Sequence, residues 1–234
     1  MLHTIALGHT RHNQIADTLH AEPSRQLERL IELRLVERVQ PVTEEGTRSR
    51  RRIYRLADNF MAFWLGQVLP YRAAIDRGLG DSAWTFAMSR LSSFLGPRFE
   101  EAFRIHLRHL AARGELGEGV IAVGAFWFHE PPIAPGGEPS DTEIDAVVLA
   151  GVHRDAVLVG EAKLHHTINA APLLRSLERK VEHLPRRGPN LRLALAAGHA
   201  VVGAPPEVLT VTASDIFGID GEPHRSMDGL WVPA

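Results

Sequence analysis

The sequence predicts an α/β (α+β) protein with three successive parts, residues 1–57, 58–95 and 96–220. The first part shows two amphipathic helical segments and then two short strand-like runs around a charged turn. The second part carries aromatic side chains at helical spacing. In the third part, apolar runs of strand length combine with two helical patterns in the order α-β-β-β-α-β, which is typical of a mixed sheet covered by helices.

The composition excludes several classes of protein. The 234 residues are 44% hydrophobic and 23% charged, and they contain no cysteine, so disulfides and cysteine-ligated zinc or iron–sulfur sites are ruled out. The N-terminus lacks the charged and apolar blocks of a secretory signal. The longest apolar stretch, residues 60–69, is shorter than the roughly 20 residues that cross a bilayer. We therefore expect a cytoplasmic protein with no membrane partner.

The first part begins with a short helix predicted over residues 12–19, where Ile15 and Leu19 lie on one face. Pro23 fits the first turn of a second helix, because its missing N–H costs nothing there. Apolar spacing extends this second helix to about Arg38. A short helix, a turn and a longer helix form the arrangement of a helix-turn-helix.

Two predicted strands, residues 39–42 and 51–56, form a hairpin around a polar turn. Arginines cluster near its tip: Arg48, Arg50, Arg51 and Arg52. A helix-turn-helix followed by such a hairpin predicts a winged helix-turn-helix, in which a basic wing binds nucleic-acid phosphates. The acidic residues Glu28, Glu32 and Glu37 of the second helix oppose phosphate, so a packing or protein-interaction role stays open as well.

The second part is predicted to be a helical connector. One helix begins near Asp58 or Asn59, which can cap it, and another spans about residues 82–94. Aromatic stripes at helical spacing are usually core, so we assign these helices to packing rather than chemistry. Gly96-Pro97 marks the expected boundary with the third part.

The third part opens with a helix predicted from Pro97 to Arg113. Glu100 lies at the edge of the core-facing side of this helix, since it neighbours Phe99 and precedes Phe103 by three residues. The remaining predicted elements are strands over about residues 119–128, 143–149 and 156–162, a helix over 171–184, and strands over 191–196 and 208–211.

Two carboxylates and a lysine stand out on the second and third of these strands. Glu161 and Lys163 are two residues apart, so both side chains leave the same face. The loop between the two strands is of hairpin size, which predicts that the carboxylates of Asp145 and Glu161 converge. Mg²⁺ or Mn²⁺ takes such oxygen ligands, lowers the pKa of bound water and polarises a phosphate. Lys163 would then position or stabilise the attacking hydroxide.

Lysine itself is rare in this chain. Of 26 Lys and Arg residues, only Lys163 and Lys180 are lysine. A lysine kept among so many arginines fits a position that needs a compact ammonium rather than a planar guanidinium. Alternatively, the bias leaves a few lysines at random, and the Glu161–Lys163 pair is a solvated strand end. The 13 histidines are scattered, and we do not expect them to bind a metal.

These motifs resemble the PD-(D/E)XK nuclease superfamily, whose restriction-endonuclease-like core has the order α-β-β-β-α-β. Residues 54–64, 94–100, 123–127, 143–147 and 160–163 are similar to the C-terminal region of a group of archaeal and bacterial AAA-type ATPases. In that group an ATPase module precedes a winged helix and a nuclease-like domain. The resemblance implies a Mg²⁺-dependent nuclease-like protein that acts on or binds DNA, with an ATPase in trans as a candidate partner.

The resemblance also assigns site residues. Four residues map onto the active-site positions of the family: Glu100, Asp145, Glu161 and Lys163. Asp145 and Glu161 would be the metal ligands. Lys180 matches a position where some members carry a further polar site residue, although we favour a solvated position on the helix for it.

Three features depart from the family pattern. The chain has no G-x-x-x-x-G-K-[ST] loop and so carries no ATPase module. Ala125 and Phe126 precede Trp127 where the group often has an arginine–tryptophan pair. Residues 27–38 resemble the end of a winged-helix recognition helix, but Arg34 stands in place of the usual glycine.

Two functions remain open from the sequence. The intact set of site residues favours a metal-dependent nuclease. A net charge of −2 and the missing ATPase motif favour a non-catalytic DNA- or protein-binding module, as a fragment or remnant associated with an ATPase.

Overall fold

The computed structural model describes residues 1–44, 51–130 and 140–218, which form a mixed α/β protein. Its helices are α1 (Leu2–Ala6), α2 (His12–Leu19), α3 (Ser24–Glu32), α4 (Asn59–Phe63), α5 (Arg72–Asp76), α6 (Gly80–Ser89), α7 (Leu91–Ala112), α8 (Ala170–Val181) and α9 (Ala213–Phe217). Its strands are β1 (Val36–Val39), β2 (Ile53–Leu56), β3 (Val120–Glu130), β4 (Ser140–Ala150), β5 (Asp155–Lys163), β6 (Thr167–Asn169), β7 (Arg187–Ala197), β8 (Ala200–Val202) and β9 (Leu209–Thr212). Within the described ranges, no helix combines the length and the apolar character needed to cross a membrane.

The N-terminal part differs from the prediction where its third helix ends. The helix predicted to reach Arg38 stops at Glu32. Arg34 has a φ of 56°, in the left-handed region that glycine adopts with less strain, and this conformation turns the chain out of the helix. Val36 is buried and begins β1, which pairs antiparallel with β2. An antiparallel strand pair is therefore present, but its first strand spans Val36–Val39 rather than the predicted residues 39–42. The helix prediction beyond Glu32 is wrong.

The boundary expected at Gly96-Pro97 does not end a helix, because α7 runs without interruption from Leu91 through Pro97. Next to the proline, Arg98 donates a hydrogen bond from Nη1 to the carbonyl oxygen of Phe94 at 2.7 Å. Its guanidinium also lies 3.6 Å from the centroid of the Phe94 ring. These contacts lie in the same turn as Pro97 and add to the interactions that hold it.

In the described part of the chain, the main sheet contains five strands in the order β3-β4-β5-β7-β9. Strands β3, β4 and β5 are antiparallel neighbours, whereas β5, β7 and β9 run parallel to one another. Parallel neighbours need a crossover, and α8 supplies it between β5 and β7. The series α7, β3, β4, β5, α8, β7 follows the predicted order, while the short parallel pair β6–β8 was not predicted.

Strand β5 lies between two helices. Phe103 of α7 packs in a buried cluster with Leu158 of β5, and Leu177 of α8 packs in another cluster with Val159. Successive strand residues point to opposite faces, so α7 and α8 cover opposite sides of β5. The strand is therefore held on both faces close to the residues that end it.

The N-terminal hairpin region is docked on the edge strand β3. The backbone N–H of Val42 donates to the carbonyl of Ala125 at 2.8 Å, and Arg154 donates to the carbonyl of Val42 at 2.8 Å. Arg51 donates from Nη1 to the carbonyl of Trp127 at 2.8 Å, and the Trp127 indole donates to the carbonyl of Arg51 at 3.1 Å. These bonds satisfy polar groups at an edge that would otherwise be open for pairing.

We expect Gly160→Ala to destabilise the protein by about 1–3 kcal/mol. A Cβ at this position would lie 2.8 Å from Cε1 of Phe103 and 3.3 Å from Cβ of Ala194. The Phe103 ring is fully enclosed and cannot yield without moving α7. Urea unfolding measures the loss. Gly80→Ala at the first position of α6 is the control, because its Cβ would meet open space and we expect little change in the free energy of unfolding. Wild-type stability of Gly160→Ala would contradict tight packing of α7 on β5.

Candidate metal centre

Asp145 and Glu161 lie on neighbouring strands at the same level of the sheet. The last pair in the β4–β5 register is Ala146 with Gly160, and Asp145 and Glu161 are the next residues outward on the two strands. Asp145 is only 5% exposed and Glu161 only 6%. The predicted neighbourhood of the two carboxylates is therefore present, and both are taken out of bulk water.

Lys163 stands between these two carboxylates. Its Nζ lies 2.8 Å from Oε1 of Glu161 and 3.6 Å from Oδ2 of Asp145. Lys180 of α8 approaches the other oxygen of Glu161, with Nζ 2.8 Å from Oε2. The Lys180 side chain is only 12% exposed, so the expectation of a solvated helix position for it is wrong. Both oxygens of Glu161 thus accept from an ammonium group.

Three carboxylates form a compact acidic cluster: Glu100, Glu143 and Asp145. One oxygen of each lies within 4.8 Å of the others, and hard divalent cations prefer oxygen donors of this kind. Glu100 was expected here, whereas the sequence reasoning missed Glu143. The strand spacing could have predicted Glu143, since it precedes Asp145 by two residues and its side chain leaves the same face of the strand. Within the described residues, Glu161 does not belong to this compact group; it faces the two lysines instead.

Asp145 is held in place through two further hydrogen bonds. The backbone N–H of Ala162 donates to Oδ2 of Asp145 at 2.8 Å, and Arg104 donates from Nη1 to its backbone carbonyl at 2.6 Å. Arg104 is buried on α7, four residues after Glu100. The contact between Arg104 and Asp145 could not be predicted from the sequence, because it depends on how α7 crosses the sheet.

The acidic cluster is electrostatically crowded. Burial, followed by the charges of Glu161 and Glu100, raises the pKa of Asp145 to about 7. Partial burial, followed by the charge of Glu100, raises the pKa of Glu143 to about 7. Because the side chain of Glu143 is exposed, solvent screens much of this effect. Burial also raises the pKa of Glu100. A divalent cation would favour the ionised carboxylates and relieve their repulsion, so the donor set fits such an ion.

Lys163 remains an ammonium group in this surrounding. Burial disfavours its charged form, but Asp145 and Glu161 outweigh burial and raise the pKa of Lys163. A lysine with a raised pKa does not act as a general base near neutral pH. Its chemical capacity here is therefore electrostatic: it can attract an anionic group and stabilise developing negative charge.

Of the four arginines predicted to bind nucleic acid, the structure describes Arg51 and Arg52. Arg48 and Arg50 fall outside the described residues. Arg51 pairs with the carboxylate of Glu44, and its guanidinium lies 5.7 Å from the centroid of the Phe126 ring in addition to its bond to Trp127. Arg52 is half-buried. Arg51 therefore has intramolecular partners on the C-terminal sheet.

Part of the chain is similar to a family of proteins of unknown function. Residues 64–176 match the model of the DUF234 family, archaeal and bacterial proteins of unknown function. This range includes Glu143 and the four predicted site residues and ends before Lys180.

One relative and the solved structures complete the comparison. An uncharacterized protein of Methanocaldococcus jannaschii is 28% identical over 162 residues, which cover 68% of this chain and 34% of the relative. The chain thus spans about a third of the length of that relative. No solved structure matches the chain.

Proposed function

We propose that the protein is a divalent-metal-dependent nuclease, a phosphodiesterase acting on DNA, built from a winged helix and a PD-(D/E)XK-like core. The observation that supports this most is the combination of an acidic cluster with an ammonium group: Nζ of Lys163 lies 3.6 Å from Asp145, one of three carboxylates within 4.8 Å of one another. The order of α7, three antiparallel strands, α8 and β7 around this cluster supports the same proposal.

In this proposal each residue has one task. Asp145, Glu143 and Glu100 hold Mg²⁺ or Mn²⁺, which supplies an activated water and polarises the phosphate when it is bound. Lys163 attracts the scissile phosphate and stabilises the charge that develops on it. Glu161 orients Lys163 through its 2.8 Å contact, and Lys180 holds the second oxygen of Glu161. Glu161 becomes a further metal ligand if the lysines shift.

The direct test is cleavage of plasmid DNA and of labelled DNA and RNA oligonucleotides with Mg²⁺, Mn²⁺ or EDTA. We expect cleavage with either metal, none with EDTA, and strong loss in Lys163→Ala. Cleavage that persists undiminished in Lys163→Ala would point to a contaminating nuclease. Binding without cleavage under all metal conditions would favour the second function.

The second candidate is a non-catalytic DNA- or protein-binding module associated with an ATPase in trans. It is favoured by the docking of the hairpin on β3, which gives Arg51 protein partners in place of phosphate. It is also favoured by the net charge of −2, since sequence-independent DNA binding needs a basic surface.

If the wing binds DNA, removing Arg50, Arg51 and Arg52 together should flatten the salt dependence of affinity. Each lost phosphate contact should reduce the slope of log K against log salt by about 0.9. Fluorescence anisotropy with a duplex at several salt concentrations measures this slope. A control with the same charge change is the replacement of three exposed connector arginines, Arg72, Arg77 and Arg90. An unchanged slope in the wing variant would assign the N-terminal part to protein interaction.

A further inference from the structure

Two adjacent glutamates of α7 serve different parts of the molecule. Glu100 belongs to the acidic cluster. Glu101 is turned about 100° around the helix axis and accepts from Arg55 of β2, whose Nη1 lies 3.1 Å from Oε2. Glu101 also accepts from Arg104 at 3.0 Å and from Arg108 at 3.0 Å. One turn of α7 therefore contacts the candidate metal centre and the N-terminal hairpin at the same time.

Arg104 connects these two contacts. Its Nε donates to Oε2 of Glu101 at 3.0 Å, and its Nη1 donates to the backbone carbonyl of Asp145 at 2.6 Å. Because the guanidinium is planar and rigid, it fixes the distance between its two acceptors. The Arg104 side chain is 7% exposed, so water replaces neither bond easily. Arg104 therefore joins Glu101 to the strand that carries Asp145 through two direct hydrogen bonds.

Arg55 extends the chain of ion pairs into the hairpin. Its Nε lies 2.8 Å from Oε2 of Glu37, its register partner on β1. Burial opposes ionisation of Glu101, but Arg104 and Arg55 outweigh burial and lower the pKa of this carboxyl. Arg55 and Arg104 both pair with this carboxylate, each through Oε2. The series Glu37, Arg55, Glu101, Arg104 is continuous from β1 to the backbone of Asp145.

We propose that Arg104 is a positioning residue of the metal centre, and that the ion pairs through Glu101 and Arg55 make its metal affinity depend on how the N-terminal hairpin is seated. This inference rests on the proposed metal site. Any ligand or partner that shifts the hairpin would then change metal affinity through α7, without touching the carboxylates. Binding at the N-terminal part and metal binding would be thermodynamically linked.

The test compares Mn²⁺ affinity in the full metal-free chain, measured by electron paramagnetic resonance. Arg104→Lys keeps a positive charge but loses the planar guanidinium that binds Glu101 and Asp145 at the same time. This variant should weaken Mn²⁺ binding about 10-fold or more. Arg55→Gln removes the link to the hairpin at a half-buried position, and should weaken binding about 3- to 10-fold. The matched control is Arg38→Gln, because Arg38 lies on the same hairpin but pairs with Glu28 inside the N-terminal part. Its affinity should equal that of the wild type.

The outcomes separate the inference from the proposed function. Wild-type Mn²⁺ affinity in Arg55→Gln would overturn the coupling, even if urea unfolding shows a loss of stability, because a purely structural ion pair changes stability alone. An equal loss of Mn²⁺ affinity in Arg38→Gln would also overturn the coupling, because Arg38 does not belong to the series of ion pairs that reaches Asp145. If Arg104→Lys does not fold, Arg55→Gln decides the question by itself. Absence of Mn²⁺ binding by the wild type would instead contradict the metal site.

Discussion

Lys163→Arg is expected to reduce DNA cleavage almost as far as Lys163→Ala, by about 10²- to 10³-fold in kcat. Arginine dominates this chain, so a site that required only positive charge would tolerate it. The ammonium of Lys163 lies 2.8 Å from Glu161 and 3.6 Å from Asp145, which leaves it one direction toward a substrate oxygen. A guanidinium is wider and planar and cannot approach a single oxygen in the same way.

The two variants should differ in metal binding. The arginine fork can bridge Asp145 and Glu161 and compete with the cation, so Lys163→Arg should bind Mn²⁺ more weakly. Lys163→Ala leaves the carboxylate repulsion for a cation to relieve, so its binding should survive. Lys180→Arg is the matched control, since Lys180 contacts the same glutamate from α8 and should retain more activity. Cleavage at the wild-type rate by Lys163→Arg would show that only charge matters at this position.

Asp145→Asn is expected to stabilise the metal-free protein at pH 8 and to leave its stability nearly unchanged at pH 4. Burial and the neighbouring carboxylates raise the pKa of Asp145 from 3.8 to about 7, a shift of about three units. At about 1.4 kcal/mol per unit, ionising this group costs the folded state at most on the order of 4 kcal/mol. Asparagine removes that cost but also loses the ion pair with Lys163, so the gain will be smaller.

The direction of the pH effect follows from the raised pKa. The folded protein binds the proton more tightly than the unfolded chain, so the stability that protonated Asp145 contributes is complete below about pH 4 and disappears as pH rises through about 7. Urea unfolding between pH 4 and 8 in the presence of EDTA measures this. Asp215→Asn is a control of opposite sign, because the hydroxyl of Thr212 lowers the pKa of Asp215. If the free energy of unfolding of the wild type and of Asp145→Asn changed with pH in the same way over this range, the raised pKa of Asp145 would be contradicted.

Alternating strand positions made the centre of the site predictable from the sequence. The period of two placed Glu161 and Lys163 on one face, and a hairpin-sized loop brought Asp145 beside them. The same period applied to Glu143 would have completed the acidic cluster. The alternation of side chains along a strand is therefore enough to predict which residues of β4 and β5 share a face, because the backbone fixes that alternation.

Residues contributed by helices were harder to predict, because their position depends on tertiary packing. Lys180 reaches Glu161 because α8 packs over β5, and Arg104 reaches Asp145 because α7 lies on the opposite face. Two helix ends were also misplaced. Arg34 adopts the left-handed conformation expected of a glycine, and α7 begins at Leu91 and continues through Pro97 instead of beginning there. Helix propensity does not describe either effect.

The measurement that tests the central claim most directly is Mn²⁺ binding to the metal-free full chain, followed by electron paramagnetic resonance. The claim is that Glu100, Glu143 and Asp145, whose oxygens lie within 4.8 Å of one another, hold a divalent cation. We expect saturable binding by the wild type, retained binding in Lys163→Ala, and loss of at least about 10-fold in affinity in Asp145→Asn. Equal affinity of the wild type and Asp145→Asn, or no binding by either, would contradict a metal centre at this cluster.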